Sequence, residues 1–248
     1  MQKAKEINKI MVKLKITLPI ILVVVYTGLI LLSSIHLKTS KLLSISTNEY
    51  VNFQANYQFF LLGITLLSLI TTYFLNRVTF TNYFTLGKLS APSEEMKLFG
   101  IKAGDSWLKT GLSLTVIISL ATGVFMYLQL KNTTIEWKQL QSGIFWILLF
   151  SLTNSFGEEM IYRMGIVSPL TNLLSPMTIF IISAILFGFP HLAGMPSELI
   201  GATMAGVLGL VLAKSLYETN GFFWAWTLHF IQDVIIIGSL FLLSTKTT

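Results

Sequence analysis

The sequence contains no cysteine, which excludes a disulfide framework, cysteine-based zinc sites and thiol catalysis together. Histidine is scarce: His36, His191 and His229 are the three in the chain, so histidine-dependent chemistry can draw on very few positions. Charge is scarce too. Asp, Glu, Lys and Arg make up 11% of the residues against 53% hydrophobic ones, an imbalance that excludes an ordinary soluble domain. There is no HExxH, so the commonest helical zinc-protease signature is missing. Internal repeats and low-complexity tracts are absent as well.

What the chain does have is a series of apolar runs of about 20 residues, each long enough to cross a hydrocarbon core as a helix. They fall at about Ile16–Ile35, Gln58–Leu75, Thr110–Leu130, Gly143–Leu170, Pro176–Ala193, Ser197–Leu216 and Phe222–Ser244. The expected fold is all-α, a polytopic membrane helical bundle with about seven transmembrane helices. Residues 1–142 form an N-terminal three-span region containing a cytosolic segment at 76–109, and residues 143–248 carry four closely spaced spans. The lysine-rich start resembles a secretory signal in charge order. Its apolar run is too long for one and no small-x-small cleavage site follows, so an uncleaved anchor is expected, with Pro19 in its first turn and His36 in the loop beyond. The sixth span carries Gly201, Ala202, Ala205, Gly206 and Gly209, small residues that permit close helix approach and suggest a central position. Glu198, just after Pro196, fits an acidic first helical turn.

The net charge of +6 is read as topology rather than nucleic-acid binding, because the basic residues lie between the apolar runs. The N-terminal lysines, the basic residues of 76–109, Arg163 and Lys214 fall on the inside, and Lys38, Lys41, Lys131, Lys138 and Lys246 on the outside. The positive-inside rule then places the N-terminus in the cytosol of a multi-pass protein, expected in a bacterial plasma membrane.

Leaving out the spans' ends, the charged or histidine residues within the apolar sequence are Glu158, Glu159, Arg163, His191, His229 and Asp233. Each ionised group at bilayer depth costs about 2.5–3.5 kcal/mol on insertion scales, so such residues are functional-site candidates; singly each reads as a packed ion pair or a hydrogen-bonded core residue, and it is their convergence on neighbouring spans that favours a site. Glu159 and Arg163 stand at i and i+4 and can pair, while Glu158 is rotated by about 100° and stays available. His229 and Asp233 repeat the i, i+4 spacing. Glu158 and His191 flank the turn signalled by Asn172, Ser175 and Pro176, each roughly 24 Å from it along an antiparallel helix pair, so they can face each other. His229 follows the Asn220–Gly221 turn by roughly 13 Å. A buried glutamate beside two imidazoles can activate water, a histidine can donate to an oxyanion, and Glu158, His191 and His229 are also the residue types that hold zinc.

Glu158-Glu159-xxx-Arg163, Phe187-xxx-His191 and His229-xxx-Asp233 resemble, in order, the EExxxR, FxxxH and HxxxN/D motifs of the CPBP family. These are the CAAX protease and bacteriocin-processing, or Abi, proteins, which include the type II CAAX prenyl endopeptidases. The resemblance covers about 143–244, a CAAX-protease-like core in the last four spans. It implies an all-helical intramembrane endopeptidase acting on a membrane-associated peptide. Glu158 would activate water with His191, Glu159 and Arg163 would hold the first motif in shape, His229 and the residue at 233 would stabilise the oxyanion, and Phe187 would support the pocket. Many relatives have Asn where this chain has Asp233, and an ionised carboxylate cannot donate to an oxyanion. Either Asp233 is protonated or it orients His229, and the second is preferred. The cluster serves a metal-free glutamate mechanism or a divalent metal such as zinc. Expected substrates are bacteriocin, pheromone or leader peptides rather than prenylated proteins.

Two other classes compete. A non-catalytic immunity or partner-binding membrane protein would use the motifs as scaffold, and a proton-coupled transporter would use them as a relay, though the inverted repeat common in transporters is lacking.

Overall fold

The computed structural model describes residues 1–37, 42–131, 137–193 and 198–244. Lys38, Lys41, Lys246, Pro196 and Ser197, used in the expectations above, lie outside them. The helices are α1 (Gln2–Leu37), α2 (Glu49–Leu75), α3 (Arg77–Tyr83), α4 (Trp107–Leu130), α5 (Trp137–Glu158), α6 (Gly165–Leu170), α7 (Pro176–Gly188), α8 (Glu198–Thr219) and α9 (Phe223–Ser244). Among the described residues there is no β-strand, and two isolated bridges lie in the α3–α4 connection.

The distribution of polarity is that of a bundle in lipid. Along α2, Asn52, Asn56, Gln58, Thr65, Ser68 and Thr72 are buried, while Phe59, Leu62, Leu66 and Ile70 are exposed. Along α4 the exposed face is Leu112, Val116, Leu120 and Val124. Polar groups turn inward to find partners and the apolar faces turn out, as a hydrocarbon surround requires. Among the described residues, five helices are long and apolar enough to cross a membrane: α1, α2, α4, α8 and α9. The expected fourth and fifth spans pack in the same bundle but differ in kind. One is the interrupted α5–α6 unit, and the other is α7, whose 13 residues rise only about 20 Å before a 3₁₀ turn.

Several boundaries differ from the sequence expectation. α1 begins at Gln2, so the lysine-rich start is helical, Pro19 lies inside the helix rather than in its first turn, and His36 is in the last turn rather than in a loop. α2 begins well before Gln58. Asn48 caps it by accepting from the Tyr50 and Val51 amides, and the polar residues of its opening turns fasten the preceding loop. Asn52 Oδ1 accepts from the Ile45 and Ser46 amides, and Asn56 Oδ1 from those of Leu42 and Leu43. Arg163 and Lys214, read above as topological charges, are both buried within the bundle, Lys214 in an ion pair with Glu218. A charge that is neutralised inside the protein carries no orientation signal.

The small residues of α8 pack as expected. A Cβ on Gly209 would lie 3.1 Å from Ala184 Cα, and one on Gly188 2.7 Å from the Ala202 carbonyl oxygen, so α7 and α8 meet almost backbone to backbone. The α3–α4 connection is tied to the end of α8. Glu218 accepts from the Trp107 indole at 2.8 Å and the Glu94 amide at 3.3 Å, and the Lys88 amide donates to the Thr219 carbonyl. Gly87 sits against Thr219 and Gly221 with φ 78°, and a Cβ there would be 2.6 Å from the Thr219 oxygen. Gly87→Ala is therefore expected to destabilise by about 2 kcal/mol or more, from strain and backbone clash together. Gly100→Ala, also at positive φ but with nothing near its Cβ, is the control. Thermal unfolding in detergent should show the larger drop for Gly87→Ala.

Candidate active site

The site begins where α5 stops being an α-helix. From Glu159 to Met164 the chain forms a π turn, closed by the Gly165 amide on the Met160 carbonyl. The Tyr162 carbonyl is taken by Ser183 Oγ of α7 at 2.9 Å, and the Tyr162 hydroxyl meets Thr27 of α1 at 3.0 Å. Such π turns are rare and concentrate at functional sites. Every side chain of this one is buried.

Glu159 and Arg163 form the expected pair, Oε1 to Nη2 at 3.0 Å, with no exposure on either side chain. The guanidinium lies over the Phe187 ring at 4.0 Å, and the same ring packs edge-on against His191 at 4.8 Å and His229 at 5.3 Å. Phe187 is thus the apolar post around which the cation and both imidazoles are arranged. Among the described residues, Arg163 Nε, Nη1 and Nη2 and Glu159 Oε2 have no hydrogen-bond partner, so Arg163 relies on its ion pair with Glu159 and on the aromatic face.

Glu159 does a second thing. Its Oε1 is 2.7 Å from His229 Nδ1, and a carboxylate accepts only, so Nδ1 carries a proton. That turns Nε2 toward Glu158 Oε2 and Asp233 Oδ1, each at 3.6 Å. Glu159 thus holds Nδ1, because the π turn brings it under the imidazole, and Asp233 meets the same ring at Nε2. His191 is fixed independently, its Nδ1 2.8 Å from the Phe187 carbonyl, which leaves Nε2 as the ring's free nitrogen.

Asn154 was not singled out from the sequence. Its Nδ2 donates to Glu158 Oε1 at 3.3 Å and to Asp233 Oδ2 at 3.0 Å, joining two carboxylates on different helices. The clue was present, since Asn154 and Glu158 are four apart and share a face.

Two cavities meet at this cluster. One, of about 370 Å³, is walled by Asn154, Glu158, His191 and Asp233 together with Tyr57 and Pro190. The other, of about 440 Å³, is apolar and lies between α4, α8 and α9, with His191, His229 and Asp233 in its wall. His191 and Asp233 border both. The structure thus joins Glu158, Glu159, Arg163, His229 and Asp233 by direct contacts, and brings in His191 through Phe187 and the shared cavity walls. Among the described residues no three His, Asp or Glu side chains are placed to hold a metal ion. Glu158, His191 and His229 are consequently not gathered as a ligand set in this arrangement.

Residues 140–235 match the family model described as type II CAAX prenyl endopeptidase Rce1-like. Over these residues the chain is similar to the CAAX protease family. The CAAX-protease segment contains all six residues of the cluster, and with the long apolar helices it makes the chain an integral membrane protein. It supports CAAX endopeptidase activity. Helices α1, α2 and α4 lie outside the CAAX-protease match, so the α4 wall of the larger cavity comes from beyond it. Comparison with curated proteins gives no match, and neither does comparison with solved structures.

Proposed function

We propose that the chain is an intramembrane endopeptidase that hydrolyses a membrane-associated peptide with water activated by Glu158. The observation that carries this reading is the orientation of His229: Nδ1 faces Glu159, and Nε2 faces the Glu158 carboxylate beside two cavities. A histidine fixed at Nδ1 by a carboxylate presents its Nε2–H in one direction, as a preorganised oxyanion donor requires. In this mechanism Glu158 takes a proton from water positioned with His191, and the hydroxide adds to the scissile carbonyl. His229, protonated at both nitrogens, donates from Nε2 to the oxyanion. The proton on Glu158 then passes to the leaving amine as the C–N bond breaks, so one water is consumed for one new carboxyl and one new amino terminus. Bacteriocin or pheromone precursors are the proposed substrates, by the family resemblance.

The test compares peptide termini in membranes of source cells carrying the wild-type chain or His229→Ala at equal folded level. Termini found with wild type alone are expected. Identical termini in both would remove the peptidase reading and leave a binding or immunity role. Because no step uses a metal, the activity of the purified chain is expected to survive a chelator. Loss restored by zinc would instead assign Glu158, His191 and His229 as ligands.

A further inference from the structure

Two carboxylates on different helices share one amide, and that amide is held by a residue from outside the CAAX-protease segment. The orientation can be worked outward from the charges. Glu158 and Asp233 accept, so the atom of Asn154 that faces both must be its nitrogen, with one N–H for each carboxylate. Asn154 Oδ1 then points away, toward Gln58 Nε2 of α2 at 3.4 Å. Gln58 Oε1 in turn accepts from the Thr153 hydroxyl at 2.9 Å, which uses that group's one proton. Gln58 is 5% exposed, so water does not compete freely for either end of it. Each amide has one orientation that satisfies its neighbours, and the orientations run in a single direction from α2 to the carboxylates.

We propose that Gln58 and Asn154 are positioning residues for the reaction. Gln58 locks the Asn154 amide so that it donates to Glu158 and Asp233 together, which fixes Glu158 Oε1 and leaves Oε2 as the oxygen that faces His229 and the reacting water. The relay gives α2 a part in the chemistry and not merely in packing. The inference about rate rests on the peptidase reading, but the hydrogen-bond relay itself does not.

Two measurements test it. In the peptidase assay, Gln58→Leu is expected to lower kcat about tenfold with KM unchanged, the size of one lost amide hydrogen bond. Combining it with Asn154→Leu should cost no more than Asn154→Leu alone, because both act through one amide. Multiplicative losses, or a lower unfolding temperature with kcat intact, would overturn the relay. The second measurement needs no turnover. Dicyclohexylcarbodiimide, which modifies protonated carboxyls in apolar surroundings, is applied to the purified chain and its adducts on Glu158 and Asp233 are counted by mass spectrometry. Labelling of both is expected to rise several-fold in Gln58→Leu, and to a lesser extent in Thr153→Val, which keeps the glutamine but removes its fixed partner. Unchanged labelling in both variants overturns the proposal whether or not the chain cleaves peptides. A wild-type chain without peptidase activity but with the labelling response would sink the peptidase reading and leave the relay standing.

Discussion

Glu158→Gln is expected to abolish peptide cleavage, by about a thousandfold or more, while the chain still folds. The substitution keeps the volume and an oxygen at Oε1 for the Asn154 amide, but an amide cannot take a proton from water. Loss of a general base costs about 10²–10⁴-fold in general, and no second base faces His229 Nε2 from the same helix. The Glu159–Arg163 pair and the Phe187 stack do not involve Glu158, so the unfolding temperature should stay close to that of the wild type. Activity within a few-fold of wild type in a folded Glu158→Gln chain would take this residue out of the mechanism. It would point to Asp233, the other carboxylate at 3.6 Å from Nε2.

The largest loss of stability is expected from Arg163→Leu. Both members of the Glu159–Arg163 pair are fully buried, and removing one partner of such a pair is destabilising by about 3–5 kcal/mol, because the other is left as an uncompensated charge. The cation also sits on the Phe187 ring at 4.0 Å, a contact worth about 2 kcal/mol when desolvated. Arg163→Lys should recover only part of the loss, since an ammonium has no planar face to lay on the ring. The double variant Glu159→Leu with Arg163→Leu removes both charges, and its unfolding temperature should lie above that of Arg163→Leu alone. It will remain inactive, because His229 Nδ1 then has no carboxylate to fix it. Equal melting of the single and double variants would mean that Glu159 is not stranded by the loss of Arg163.

What the sequence could show of this site follows from which contacts are local. The Glu159–Arg163 pair is a matter of helical spacing, and the turns at Asn172–Pro176 and Asn220–Gly221 announce themselves by residue type. Asn172 and Asn220 indeed adopt positive φ. For His229, Asp233 is the partner that spacing offers, four residues away on one helix, whereas Glu159 reaches the imidazole from another helix through a π turn that no periodicity foretells. Gln58 is the extreme case, 96 residues from Asn154 and in a span read as plainly apolar. The start of α2 was missed because its polar residues look like a loop when their partners, the loop amides, are not in view. Arg163 and Lys214 were counted as surface charge because a count by position cannot see burial.

The fastening of the α3–α4 connection to the end of α8 bears on how the larger cavity can change size. Trp107, the first residue of α4, is bonded to Glu218, so that end of the helix is anchored. α4 has 24 residues and is about 36 Å long, and it forms one wall of the apolar cavity. Gln232 Nε2 of α9 also donates to Ser119 Oγ midway along α4 at 3.0 Å, so a swing about the anchored end has to break that bond. A tilt of about 10° about Trp107 would carry Leu130 through about 6 Å by the helix's length alone, while the anchored end hardly moves. The cavity would widen as a wedge, least beside the anchor and most toward Leu130.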